Sequence, residues 1–169
     1  SVSSEMKEID LLSEKRKMEW YGDVQFALFS KYDKSQYLDL VENIFKKGYD
    51  VIVFDSLQHA AEKIAAETDL NVTQASNFLL RLMDEACDGK TENEIKSAVL
   101  MIQQVGKAGQ FMGKNNIAHD TTGMLEFVSN EDTGERYCFF VKNRKNGTMQ
   151  GKKLYYELDE NKEITFDLE

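Results

Sequence analysis

The stretch over residues 49–58, YDVIVFDSLQ, constrains the fold more than any other part of the chain. Residues 51–54 form an unbroken run of β-branched and aromatic residues, and Asp50 and Asp55 stand at its two ends. Such a run predicts a strand that is buried on both faces of a parallel sheet. In open α/β sheets, ligands bind outside the carboxyl ends of the strands. The sequence therefore predicts a ligand site at Asp55.

Composition limits the classes of protein to consider. The 169 residues are 41% hydrophobic and 30% charged, which predicts a globular domain with a real core. A net charge of −9 argues against a broadly basic nucleic-acid surface but leaves room for a local basic loop. Two distant cysteines and two histidines argue against a zinc site and predict reduced thiols. No membrane-length apolar stretch or signal peptide is visible, so we expect a cytoplasmic protein without a membrane partner.

Hydrophobic periodicity predicts alternating strands and helices over residues 1–123. A glycine, Gly48, is expected to end the helix before the central strand. The order of strand, helix and strand around Gly48 predicts a βαβ unit with a right-handed crossover. The expected strands cover residues 1–6, 24–29, 51–54 and 98–102, and the expected helices cover residues 8–18, 35–47, 59–67 and 73–87.

The pattern changes to short strands from Met124 onward. Strands are expected over residues 124–128, 136–142, 153–158 and 164–168, with turn residues between them. This pattern predicts an antiparallel β-meander on the edge of the parallel sheet. We therefore expect an α/β fold in one domain, residues 1–169, with an α/β part (1–123) and a β-meander (124–169).

Two carboxylates are candidates for phosphate chemistry. Asp55, followed by Ser56, offers the hard oxygen ligand that nucleotide-bound Mg²⁺ needs, direct or through water. The alternative is that Asp55 caps the next helix or turn. Glu5 follows the first predicted strand and could polarise a water for attack on a phosphate. The alternative is a first-turn glutamate that favours the helix dipole.

Two further motifs lie at strand ends. Gln104 follows the strand at 98–102, where it could hydrogen-bond a γ-phosphate or its water; the alternative for this loop is a solvated polar segment. Lys142 and Arg144, one residue apart, are expected on one strand face together with Cys138 and Phe140. Such a pair could reach a phosphate of a neighbouring subunit as an arginine finger. The alternative is a solvated hairpin end.

Taken in order along the chain, these motifs resemble those of the RecA-type ATPases, most closely the RadA and DnaB branches. The matching segments are VSSEM, VIVFDSLQ, QVGKAGQFMGKNNIAH and KNRKNG. The resemblance implies a RecA-like three-layer fold with a mostly parallel sheet, and it implies bound ATP and Mg²⁺. It implies that Glu5 is the catalytic carboxylate, that Asp55 holds Mg²⁺ at the end of the Walker B strand, and that Gln104 senses the nucleotide.

The same resemblance implies partners. Lys142 and Arg144 would complete the site of a neighbour in a homo-oligomeric ring or filament. Lys107 and Lys114 would contact DNA, expected to be single-stranded. The strand, Walker A loop and helix that should precede the glutamate have no counterpart in these residues. The nearest imitation, GQFMGKN at 109–115, has three residues between its glycines instead of four, so we reject it as a phosphate loop.

The expected function is the ATP-hydrolysing core of a DNA-dependent motor or recombination protein. We expect a fragment or one half of a split protein that does not hydrolyse ATP alone. The alternative is a non-catalytic ATPase-fold module that serves as a binding or loader surface. An unrelated nucleotide-binding α/β protein is a third interpretation, and it requires the motif matches to be accidental.

Overall fold

The computed structural model describes residues 1–17, 23–103, 121–130, 132–159 and 164–167. The chain divides into two compact units, Ser1–Gly113 and Lys114–Glu169, and each is described here by itself. The arrangement of both parts in one domain, with a division at residue 123, stays a prediction. In the described part of the chain, no helix has the length and apolar character needed to span a membrane.

A four-stranded parallel sheet forms the centre of the first unit. Its strands stand in the order β2–β1–β3–β4, and all three pairings are parallel, as predicted. The second strand is shorter than expected because the chain turns into a 3₁₀ helix at Phe29–Lys31. The strands of this sheet are β1 (Val2–Ser3), β2 (Ala27–Leu28), β3 (Val51–Asp55) and β4 (Ala98–Ile102).

Four α-helices accompany this sheet in the described residues of the first unit, and all four were expected from the sequence. Gly48 follows the second helix with a φ of 80°, which only glycine adopts readily. Asn71 begins the fourth helix with a capping box, in which its side chain accepts from the Gln74 amide. The helices are α1 (Glu8–Lys17), α2 (Tyr37–Lys47), α3 (Leu57–Ala66) and α4 (Val72–Cys87).

The core of the first unit lies between one face of the sheet and the helices α2, α3 and α4, which contact one another. Ile52 and Phe54 point from β3 into this core and are buried. The ring of Phe54 lies 5.8 Å from the ring of Phe45 on α2. The alternation of buried and more exposed residues along β3 thus positions Asp55, the last residue of the strand, on the face away from Phe54.

The opposite face of β3 and β4 carries apolar side chains that are exposed. Val51 is 54% exposed, Leu100 is 59% exposed and Ile102 is 48% exposed. The prediction that the central strand is buried on both faces is therefore wrong at Val51. An unbroken apolar run cannot distinguish a strand covered on one face from a strand covered on both, because no polar residue marks the open side.

The second unit is a four-stranded antiparallel sheet in the order β5–β6–β7–β8, so the predicted meander is confirmed. Its placement on the edge of the parallel sheet stays a prediction. The strands of this sheet are β5 (Gly123–Ser129), β6 (Arg136–Asn143), β7 (Leu154–Leu158) and β8 (Ile164–Phe166).

A β-bulge changes the register near the end of β6. Met124 lies opposite Lys142, but the next residue, Leu125, lies opposite Phe140. Val141 is therefore the extra residue, and Lys142 falls on the face opposite to Phe140. The prediction that Lys142 continues the face of Cys138 and Phe140 is wrong, because simple alternation does not survive a bulge.

Candidate functional site

The carboxyl ends of three parallel strands meet at one edge of the first sheet. Ser3 of β1 lies opposite Asp55 of β3, and Asp55 lies opposite Ile102 of β4. Glu5 follows β1 by two residues, so the chain brings its carboxylate to the end of β3. The structure thus places Glu5 and Asp55 together at the edge where α/β folds bind ligands.

A buried serine ties the end of β1 to the end of β3. The Ser4 hydroxyl lies 3.2 Å from the carbonyl oxygen of Asp55 and accepts a hydrogen bond of 3.2 Å from the Ser56 amide. The Ser4 amide also donates to the Asp55 carbonyl at 2.7 Å. Because Ser4 is buried, these bonds are shielded from water and fix the backbone on both sides of the site.

The Ser56 hydroxyl has two partners. It caps α3 by accepting from the His59 amide at 3.4 Å, and it donates to Oε1 of Glu5 at 2.8 Å. The cap of this helix is therefore Ser56, not Asp55 as in the alternative interpretation of the sequence. This single side chain holds the Glu5 carboxylate in place while it begins the helix.

The electrostatics of Asp55 reflect its position. Burial raises the pKa of the Asp55 carboxyl, and the neighbouring negative charge of Glu5 raises this pKa further. The charge of His59 and a hydrogen bond with Ser3 act in the opposite direction. The edge thus holds two carboxylates whose charges repel each other, which favours the presence of a cation.

Lys63 is a member of this site that sequence reasoning missed. Its ammonium group, on α3, donates to the carbonyl oxygen of Ser4. Burial lowers the pKa of Lys63, and the attraction of Glu5 partly offsets this effect. Helical spacing was the available signal, since residue 63 lies seven positions after Ser56 and four after His59, on the helix face that begins at the site.

The donor chemistry of the edge fits a nucleotide-bound Mg²⁺ ion. Carboxylate and hydroxyl oxygens are the hard ligands that Mg²⁺ prefers, and Mg²⁺ commonly keeps one or two carboxylates with waters and phosphate oxygens. Within the described ranges, no group of three or more histidine, cysteine, aspartate or glutamate residues could hold a metal by itself. The set at Glu5 and Asp55 therefore suits an ion that arrives with a phosphate ligand.

Five other site residues were predicted, and their positions relative to this edge stay predictions. Gln104, Lys107 and Lys114 lie outside the described residues. Lys142 lies on β6, where it is paired with Met124 of β5. Arg144 follows β6, and its amide donates to the carbonyl oxygen of Thr122 at 3.0 Å. The roles of these five residues stay predictions, as do the individual roles of Glu5, Asp55 and Ser56.

We predict that Asp55→Asn stabilises the first unit at neutral pH. A raised carboxyl pKa means that the folded state binds the proton more tightly than the unfolded state, so stability falls as the pH rises from about 3.8 through the folded pKa. Asparagine removes the ionised form, and the gain should disappear below about pH 3.8. Thermal unfolding at several pH values tests this, and a pH-independent difference between the two proteins would contradict it.

Comparison with known proteins finds similarity among solved structures. No protein-family model and no curated protein matches the chain. Among solved structures, the chain is similar to the flagellar accessory protein FlaH from Methanocaldococcus jannaschii, with a TM-score of 0.58 and 14% identity. The match covers 99% of this chain and 75% of the FlaH chain.

This finding corrects the predicted function. Nearly the whole chain matches the structure of a flagellar accessory protein, so the prediction of a DNA-dependent motor or recombination core is wrong. The physical reason is that a RecA-like fold supports several functions, and strand-end carboxylates alone do not select DNA.

The fold prediction, in contrast, is confirmed. A parallel four-stranded sheet, an antiparallel four-stranded sheet and the likeness to FlaH agree with one another. The chain has a RecA-like α/β fold.

Proposed function

We propose that this chain is a RecA-like accessory module that acts by binding and not by driving a motor. One observation carries the proposal: the chain is similar, over 99% of its length, to a solved flagellar accessory protein. This corresponds to the non-catalytic ATPase-fold module that the sequence left open as an alternative.

ATP with Mg²⁺ is the ligand that we assign to the edge at Glu5 and Asp55. In this proposal Asp55 holds Mg²⁺, directly or through water, and the ion neutralises phosphate charge. Glu5 accepts a hydrogen bond from the Ser56 hydroxyl, which supports a role in shaping the edge.

Self-assembly is a further part of the proposal. The motif at Lys142 and Arg144 remains a candidate contact to phosphate groups bound by a neighbouring copy. In a non-catalytic assembly such cations stabilise the bound nucleotide at the interface, because guanidinium and ammonium groups pair with phosphate oxygens.

Calorimetric titration with ATP and Mg²⁺ tests the nucleotide part. We expect Asp55→Asn to weaken binding by about 10- to 100-fold, since a charge-assisted contact contributes about 1.5–3 kcal/mol. Asp50→Asn is the matched control, because Asp50 stands at the other end of the same strand. It should bind as the native chain does.

Phosphate release measured with and without single-stranded DNA tests the accessory part. We expect no DNA-stimulated turnover. An increase in turnover on addition of DNA would overturn the proposal. Equal nucleotide affinity in the native chain and in Asp55→Asn would show that Asp55 does not take part in nucleotide binding.

A further inference from the structure

We propose that the positive charge of Lys63 competes with a divalent cation for the negative charge of Glu5. Lys63 thereby lowers the metal affinity of the sheet edge at Glu5 and Asp55 (the ligand edge). This inference rests on the proposed function, since it assumes that the edge takes a divalent cation. It assigns Lys63 a part in selecting when the site accepts metal.

The position of Lys63 carries the argument. Its ammonium group donates to the carbonyl oxygen of Ser4, and Ser4 directly precedes Glu5. The Ser4 hydroxyl in turn bonds the backbone at Asp55 and Ser56. The ammonium group therefore belongs to the hydrogen-bonded cluster that includes the Ser56 hydroxyl and, through it, the Glu5 carboxylate, and this cluster is built on the backbone at Asp55.

Two charged side chains act on the ammonium group of Lys63 in opposite directions. Glu5 attracts the ammonium group, and Lys34 is the cation that repels it. Lys34 is 3.7 Å from a carboxylate oxygen of Glu67, so an acidic group already compensates part of its charge. Lys63 is thus a cation of helix α3 that opposes the negative charge of Glu5, while the charge of His59 acts on Asp55.

Coulomb repulsion gives the predicted consequence. A divalent cation at Asp55 and Glu5 enters a region that already contains a positive charge, which lowers its affinity. Removing the charge of Lys63 leaves the negative charge of Glu5 without this compensation, so a divalent cation at the site is bound more tightly. The native lysine therefore holds the affinity for free metal low until a ligand that also carries phosphate arrives.

A purely structural role for Lys63 makes a different prediction. If the lysine served only to tether the Ser4 carbonyl, any variant that kept an N–H donor would behave as the native chain does. Lys63→Gln retains a donor but carries no charge, Lys63→Met retains neither, and Lys63→Arg retains both. These three variants separate the charge from the hydrogen bond.

The experiment is a titration of the 169-residue chain with Mn²⁺ alone, followed by electron paramagnetic resonance. We expect Lys63→Gln and Lys63→Met to bind Mn²⁺ about tenfold more tightly than the native chain, the size expected for one nearby charge acting on a divalent ion at a partly exposed site. Lys63→Arg should keep the native affinity. Lys96→Gln, at an exposed position, is the control for net charge.

The double variant Lys63→Gln/Asp55→Asn should lose the gain. If Lys63→Gln and Lys63→Met bind Mn²⁺ as the native chain does while Asp55→Asn weakens binding, the counter-charge role is wrong and the metal site stands. If only Lys63→Met differs, the lysine is a tether and the inference is wrong. If no variant shows binding that depends on Asp55, both the metal site and this inference are overturned.

Discussion

Phe54→Ala is expected to destabilise the first unit by about 3–5 kcal/mol, the range for removal of a buried aromatic ring. Phe54 is 1% exposed, and its ring packs on Phe45 at a centroid distance of 5.8 Å. The truncation leaves a cavity between β3 and α2, which the surrounding rigid elements fill only in part. Urea unfolding followed by circular dichroism at 222 nm reports on this unit, because α1 to α4 all lie within it.

Phe127→Ala is the matched control for this prediction. Phe127 lies on β5 of the second unit and is 55% exposed, so its loss removes little buried surface. We expect it to leave the transition at 222 nm almost unchanged. Equal shifts from both substitutions would show that Phe54 does not form part of a tightly packed core.

Gly48→Ala is expected to cost about 2–5 kcal/mol, because backbone strain and steric overlap act together. Gly48 has a φ of 80°, which a residue with a side chain rarely adopts. An added Cβ atom would lie 2.5 Å from Oγ1 and 2.8 Å from Cβ of Thr91. The same urea unfolding experiment measures the cost.

Two further variants separate strain from overlap. Gly89 of the same unit also has a positive φ, 78°, and an added Cβ would lie 3.0 Å from Cγ of the flexible Lys96 side chain, so Gly89→Ala reports mainly on strain. Thr91→Gly removes the atoms that the new methyl group would meet. A double-mutant cycle of Gly48→Ala with Thr91→Gly should show a favourable coupling, and simple additivity would exclude steric overlap as a cause.

The helices and strands of this chain could be predicted from local signals that act over a few residues. Gly48 marks a helix end because few other residues adopt its backbone conformation. The stretch at β4, residues 98–102, is apolar and bounded by polar residues, and the structure gives a strand with the same limits. These signals are strong because they depend on backbone geometry and on burial within one element.

Other features depend on what covers or opposes an element, and the sequence does not contain that information. The exposure of Val51 and Leu100 follows from the open face of β3 and β4, while their residue types are those of a buried strand. The bulge at Val141 depends on how β5 and β6 pair, and no glycine or proline marks it. Periodicity alone therefore placed Lys142 on the wrong face.

The candidate site was predictable where it depends on the general geometry of parallel sheets. Glu5 and Asp55 come together because the carboxyl ends of β1 and β3 are adjacent. Lys63 could not be found in this way, since it reaches the site through the backbone carbonyl of Ser4. The DNA-dependent function failed for a different reason: it came from family resemblance, which fixes the fold more firmly than the use of the fold.

The Ser56 hydroxyl connects the ligand edge to helix α3 through hydrogen bonds. The same oxygen atom donates to Glu5 and accepts from the His59 amide, and α3 contacts both α2 and α4. A ligand that draws the Glu5 carboxylate away must therefore alter the hydrogen bond at the first turn of α3. We therefore expect ligand binding at the edge to shift the amide resonance of His59 in an NMR spectrum. An unchanged His59 resonance on ligand binding would show that the edge and α3 are not coupled through Ser56.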